Sequence, residues 1–334
     1  MRVLVTGGAG YIGSHMVKML LGQGAEVATL DDLSCGYRDA VVGGEFVKGD
    51  TGDRACLDAL FGRRKFDAVM HFASFIQVGE SVRDPAKYYR NNVTHTLTLL
   101  DAMAAHGVRS FVFSSSAAIF GEPDYTPIDE AHPKRPINPY GFSKWAVERV
   151  LSDYDRAYGL KSVSLRYFNA AGADPDGQLG ERHEPETHLI PLVLQAAAGR
   201  RPSVSVFGDD YPTPDGTCVR DYIHIVDLCQ AHLLALERLR SSGQSAAYNL
   251  GNSRGYSVNE VIRTVEAVTG RTVPVERAPR REGDPAVLVA DSKRAMDELG
   301  WRPRFNELET IIRHAWTWEQ KRHPTATEPG RRQA

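Results

Sequence analysis

Tyr140 and Lys144 stand four residues apart in the run Tyr140-Gly141-Phe142-Ser143-Lys144. That spacing is just over one helical turn and puts both side chains on one helix face. A free phenol, with a pKa of about 10, is a poor base at neutral pH. A fixed ammonium beside it favours the phenolate and brings the tyrosine into the range of proton-transfer catalysis. Asn138-Pro139 breaks the chain just before Tyr140, and Val147, Val150, Leu151 and Tyr154 give the following segment an apolar helical face. Upstream, Phe111, Val112 and Phe113 read as a buried strand, so Ser114, Ser115 and Ser116 sit at its carboxyl end. A serine hydroxyl there can hydrogen-bond a hydroxyl or carbonyl and relay a proton.

These groups need a frame, and the first forty residues supply one. Val3 to Val5 form a short strand that enters Gly7-Gly8-Ala9-Gly10-Tyr11-Ile12-Gly13, and Met16, Val17, Leu20 and Leu21 follow at helical spacing. Gly24 ends that helix, and Glu26 to Leu30 is a second strand leading to Asp31. Glycines in such a turn let backbone N–H groups approach a pyrophosphate, with a helix N-terminus facing its charge. A carboxylate at Asp31 can accept both ribose hydroxyls and would repel a 2′-phosphate, and Asp32 adds to the repulsion. The expected cofactor is therefore NAD rather than NADP.

Further strands are expected at Phe46-Val47, Ala68 to Phe72, Ser110 to Ser114 and Ser162 to Tyr167, with helical patterns between them. Alternating strands and helices imply a doubly wound, Rossmann-type α/β fold with a mostly parallel sheet. After Gly172 the texture changes, and 174–186 is rich in Pro, Gly and charge. The expected division is a cofactor domain over 1–172 carrying the catalytic residues, a smaller α/β substrate domain over 173–322, and a flexible tail over 323–334. Helices are expected at Leu189 to Ala198, Val226 to Leu239 and Val258 to Thr269. The helix from Asn92 to His106 carries Val93, Leu97 and Leu100 on one face and Leu99 and Met103 near another. That is more apolar cover than a one-sided surface helix needs, and it suggests a homodimer.

The chain has 334 residues, 42% hydrophobic and 25% charged, with a formal net charge of −2. Those values fit a globular protein and give no electrostatic case for nucleic acid or a membrane surface. Cys35, Cys56, Cys218 and Cys229 are scattered, without C-x-x-C or zinc spacing, so they read as reduced thiols and no metal site is expected. Strand-like sequence begins at Arg2 and no apolar run approaches membrane-spanning length, so the expected location is the cytoplasm.

Here the chain resembles the extended short-chain dehydrogenase/reductase family, and within it the UDP-glucose 4-epimerases. The resemblance is carried by Val5 to His15, His71-Phe72-Ala73, Val78-Gly79-Glu80-Ser81, Tyr88 to Asn92, Ser114 to Ala117, Asn138 to Gly141, Arg166 to Asn169, Asp215-Gly216-Thr217 and Val219 to His224. It spans Arg2 to about Trp318, and its last stretch lies outside the cofactor domain and is the least generic.

The resemblance implies that Ser116, Tyr140 and Lys144 are catalytic. Tyr140 takes the proton of the sugar 4-hydroxyl while C4 gives hydride to NAD+; the 4-keto sugar turns over and regains hydride on its other face. Lys144 is expected to hold the tyrosine pKa down and bond the nicotinamide ribose. The implied cofactor contacts are Gly7, Gly10, Tyr11, Ile12, Gly13, Asp31, Asp50, Thr51, Phe72, Ala73, Asn91, Ser114, Tyr140, Lys144 and Tyr167. The UDP-sugar is expected on Ser116, Asn169, His188, Leu189, Val206, Phe207, Arg220, Arg281, Asp284 and Leu288. Firm grip on the nucleoside diphosphate can anchor a sugar ring that must itself stay loose, and Arg220 and Arg281 suit the diphosphate charge.

Three positions depart from the family pattern. Ile76, followed by Gln77, stands where several members have lysine; His188 replaces asparagine; and Leu288 is intermediate in size where a bulky residue goes with narrow sugar specificity. The non-acetylated sugar is the expected preference. A dehydratase would need an acid–base pair where Ala117 and Ala118 stand. Other readings are a 4-epimerase for UDP-N-acetylglucosamine, UDP-xylose or UDP-glucuronate, and, from a different class, an NAD-sensing protein without turnover.

Overall fold

The computed structural model describes residues 1–324 except Glu282. The tail expected at 323–334 lies, from residue 325 onward, outside the described residues. Strands β1 (Arg2–Thr6), β2 (Glu26–Asp31), β3 (Glu45–Lys48), β4 (Ala68–His71), β5 (Ser110–Ser114) and β6 (Lys161–Tyr167) fall where the alternating pattern put them. They lie parallel in the order β6-β5-β4-β1-β2-β3. The order reverses between β1 and β4, and doubly wound sheets bind ligands at that switch point.

Period-two alternation splits the apolar side chains between the two sheet faces. Val3 and Val5 join Met16, Val17 and Leu20 of helix Tyr11–Gly22 on one face. Leu4 joins Leu57, Leu99, Leu100, Met103, Phe111 and Phe113 on the other. Each such side chain contributes about 1.5–3 kcal/mol when fully buried. His71 sits inside this layer with its two ring nitrogens on the hydroxyls of Thr6 (2.7 Å) and Thr96 (3.0 Å). Burial, with some repulsion from Lys144, lowers its pKa to about 3, so the ring is neutral. It ties β1 and β4 to the helix Thr96–Ala105.

Beyond β6 lie β7 (Asn169–Ala171), β8 (Val204–Phe207), β9 (Val219–His224), β10 (Ala246–Leu250), β11 (Gly255–Ser257), β12 (Val275–Ala278) and β13 (Val287–Leu288). Strands β7, β9, β11 and β13 form a small sheet, and β8 pairs with β12. They share a separate core of Ile190, Val193, Val261, Val265 and Ile311. The expected boundary at residue 172 needs one correction. Helix Ile225–Ser242 packs on the first core, and β10 pairs in parallel with β6 as the seventh strand of the large sheet. The segment 173–322 is therefore not one continuous body, because its apolar helix and strand complete the edge that β6 leaves open.

The expected helix from Asn92 also differs. Tyr89–His95 is a wide π-helical turn, and the α-helix proper is Thr96–Ala105. Leu99, Leu100 and Met103 are fully buried in the chain's own core, and of the five apolar residues only Val93 and Leu97 stay half-exposed. Most of the apolar cover expected to serve a dimer is thus used inside one chain. No helix among the described residues is long and apolar enough to cross a membrane.

Candidate active site

Strand β5 delivers Ser114 to the carboxyl edge of the sheet, and the chain then turns at Ser116, whose hydroxyl accepts the Ala118 N–H (3.1 Å). Helix Pro139–Tyr158 begins opposite, with Asn138 as its cap accepting from the Gly141 N–H (2.9 Å) and Pro139 in its first turn. Tyr140 and Lys144 are both buried on the helix face turned to β5. A Cβ on Gly141 would collide with the carbonyl oxygen of Ala118, so glycine is what lets the Tyr140 turn and the Ser116 turn lie so close.

The Lys144 ammonium donates to the Ser74 hydroxyl and to the Ser114 carbonyl, both at 2.9 Å. Burial drops its pKa to about 7, opposed by the charge of Glu148. Burial raises the Tyr140 pKa, opposed by a hydrogen bond with Ser116. The expectation that Lys144 holds the phenol acidic is therefore not met in the chain alone. The lysine nitrogen lies 6.0 Å from the Tyr140 ring centre and gives its bonds elsewhere, so desolvation dominates both groups.

Several supporting residues escaped the sequence reading. Asn92, fully buried in the π-helical turn, accepts the Phe75 N–H (2.9 Å) and donates to the Phe75 carbonyl (3.0 Å) and Ser143 hydroxyl (3.1 Å). Ser81 accepts the Tyr140 N–H (3.2 Å). Glu148 accepts from Ser115 (2.6 Å) and from Arg166 (2.6 Å to Oε2). Ser81, Asn92, Ser115 and Arg166 lay inside the stretches that carry the resemblance, with no role read for them, and Glu148 lay one turn past Lys144.

At the same carboxyl edge, just after β1, Gly7 has φ +73°, and a Cβ on it would collide with the backbone of Ala73. One on Gly13 would strike the Gly7 carbonyl. Helix Tyr11–Gly22 is capped by Gly10 without a side-chain bond or a first-turn acid, so its N-terminal N–H groups keep their positive pole. The buried Asp31 carboxylate accepts from Ala9 N–H (2.9 Å) and Leu33 N–H (2.8 Å); burial raises its pKa while these bonds oppose the shift.

This glycine cradle with an acid at its edge fits a dinucleotide. Tyr11 and Ile12 lie in its first turn, but the Tyr11 hydroxyl is committed to the Gly172 carbonyl (2.7 Å). Thr51 is buried, and Asp50 accepts the Gly52 N–H (2.7 Å). Phe72 and Ala73 leave β4 beside Gly7; Asn91 donates to Asn92 (2.9 Å), and Tyr167 meets the Ser114 hydroxyl (2.8 Å).

In the second body, Arg220 on β9 pairs with Asp284, and the Arg281 guanidinium stacks 3.8 Å over the Phe207 ring. Asn169 donates to the Asp221 carbonyl (2.8 Å), Leu189 opens helix Leu189–Ala197, and Leu288 packs beside Ile119, Phe120 and Ile128. Val206 departs from expectation: the whole residue is 1% exposed in the third core, because β8 alternates inward there. His188 is drawn into a cluster with Glu181, His183 and Glu186 that the reading of 174–186 as a loop missed.

With that geometry in place, comparison with known proteins gives a family. Residues 3–251 match the NAD dependent epimerase/dehydratase family, and the chain belongs to it. Among its relatives, a UDP-glucose 4-epimerase of Halalkalibacterium halodurans is 54% identical over 324 residues, covering 97% of each chain. The solved UDP-glucose 4-epimerase of Brucella ovis in complex with NAD is 52% identical, with a TM-score of 0.93 over 94% of this chain and 97% of that one. That of Bifidobacterium longum in complex with NAD+ and UDP is 38% identical, with a TM-score of 0.91 over 97% and 99%.

Proposed function

We propose that this chain is an NAD-dependent UDP-glucose 4-epimerase that interconverts UDP-galactose and UDP-glucose. The observation that carries the reading is the convergence of Ser116, Tyr140 and Lys144 at the carboxyl edge of β5, in a chain about half identical to UDP-glucose 4-epimerases over nearly its whole length. Gly7, Gly10, Gly13 and Asp31 would hold NAD, which would supply a positively charged hydride acceptor and, in its reduced form, a hydride donor.

The chain's own groups manage the proton. Tyr140 accepts it from the sugar 4-hydroxyl and returns it after the ring has turned. Ser116, which already opposes the burial of that phenol, bridges the reacting oxygen. Lys144 contributes a cation anchored on Ser74 and Ser114. Desolvation raises Tyr140 in the bare chain, so the phenolate depends on positive charge brought in beside it.

Arg220 and Arg281 meet the diphosphate, Phe207 and Leu189 the uridine side, and Asn169, His188 and Asp284 complete the grip. The medium-sized Leu288 supports preference for the non-acetylated sugar. The four free thiols support a cytoplasmic setting. We extend the reading to a homodimer joined through Val93, Leu97 and the helix Pro139–Tyr158, where Tyr158 is 53% exposed.

Tyr140→Phe tests the central assignment. Interconversion of the two UDP-sugars should fall roughly 10²–10⁴-fold, while the purified variant keeps its bound NAD. A variant of undiminished activity would remove Tyr140 from the reaction.

A further inference from the structure

The loop between β7 and helix Leu189–Ala197 gathers four ligand-type side chains that the proposed reaction does not require as a set. We propose that Glu181, His183, Glu186 and His188 form a binding site for a divalent transition-metal ion of zinc-like preference. One ligand atom from each residue, taken together, lies within 4.8 Å of all the others. The individual spacings are tighter. The His188 Nδ1 lies 2.8 Å from Glu181 Oε1 and 2.9 Å from Glu186 Oε1; the His183 Nδ1 lies 3.2 Å from Glu181 Oε1 and 3.6 Å from Glu186 Oε2. A tetrahedral zinc with bonds of about 2.0–2.1 Å has ligand-to-ligand edges of about 3.3 Å. These four contacts straddle that value, two of them reaching different oxygens of Glu186, so small side-chain shifts that select one Glu186 oxygen would bring one atom of each residue onto one centre.

A hydrogen-bonded pair of His188 Nδ1 and Glu186 Oε1 at 2.9 Å accounts for one imidazole and leaves the other over. The His183 Nδ1 is shut off from solvent yet makes no hydrogen bond, although carboxylate oxygens are nearby. Both carboxylates are nearly buried, at 7% and 8% side-chain exposure. Two imidazoles and two carboxylates are a donor set that zinc-like ions accept, and it requires no cysteine.

The surrounding backbone is already fixed. Glu186 Oε1 accepts the N–H groups of Thr187 (2.7 Å) and His188 (2.9 Å), and Trp318 donates to the Glu181 carbonyl (3.1 Å). A site filled by four protein ligands is closed, and closed sites are structural rather than catalytic. Here it would staple the loop against the cofactor turn, since the His183 ring meets Tyr11 edge-on with ring centres 6.3 Å apart. The inference shares His188, through its Nδ1, with the proposed substrate grip and otherwise does not depend on the epimerase reading.

The test starts from the NAD-containing protein stripped with a chelator. It is titrated with Zn2+ by calorimetry and with Co2+ by visible absorption. One equivalent per chain should bind, with the strong visible bands of four-coordinate Co2+, and added Zn2+ should raise the thermal midpoint. His183→Gln and, separately, Glu181→Gln should abolish the cobalt bands in protein that still shows wild-type far-UV circular dichroism. Absence of stoichiometric uptake by the unaltered chain overturns the proposal whatever the variants do. Bands kept by both variants overturn it as well, since the ion then sits elsewhere.

Discussion

Glu148 shows how a residue outside the reacting set can govern it. Its carboxylate is the one group that pushes the Lys144 pKa upward against burial. It also pairs with Arg166, the two side chains being 10% and 9% exposed. Lys144 titrates near 7, below its ordinary 10.5, so the ammonium is lost as pH rises through that value. In Glu148→Gln the remaining influence is desolvation, and the proton leaves at a still lower pH. The alkaline limb of the kcat–pH profile should therefore move toward acid. Stability should fall by roughly 3–5 kcal/mol, because Arg166 is left buried without its partner. An alkaline limb that stays in place would show that Glu148 holds structure alone. The tyrosine–lysine pair was visible in sequence through its spacing. Glu148, one further turn along, looked like any acid on a solvated helix face, because burial is a property of the assembled core.

At the scale of elements, the active site is a contact between two turns. Helix Pro139–Tyr158 begins against the short 3-10 turn Ala117–Ile119, and Gly141 is the point of closest approach. Gly141→Ala would force the turns apart and carry Tyr140 away from Ser116. A displacement near 1 Å costs about 100-fold in rate, so kcat should drop to that extent while NAD content stays normal. Near-normal kcat would mean that the clash is relieved without moving Tyr140. Strands β1 to β6 were legible because buried parallel strands are short apolar runs between helices. The π-helical turn at Tyr89–His95 was not, since its widened hydrogen bonding leaves the apolar spacing of the segment nearly unchanged. Only the folded chain shows that this turn aims Asn92 at Phe75 and Ser143.

For the whole molecule, the proposed pairing of two chains has a direct measurement. Light scattering on the purified protein should give about twice the 36.9 kDa chain mass, and a mass of one chain would count against it. The sequence pointed to that face with residues that turned out to be largely internal, because helical periodicity registers an apolar surface without saying what covers it. The same blindness placed the domain break at residue 172. A change of texture marks where the chain leaves a sheet, and nothing local marks where it comes back.

That return has a mechanical side. The polypeptide leaves the large sheet after Tyr167, returns to its core with helix Ile225–Ser242 and to the sheet itself over Ala246–Leu250, departs again, and comes back once more where Ala295, Leu299 and Trp301 settle into the first core. Two bodies laced together at so many points have no single pivot, so they resist swinging like a clamshell. A sugar that presents its opposite face would then be turned about the tether of its own diphosphate rather than by a swing of the two bodies.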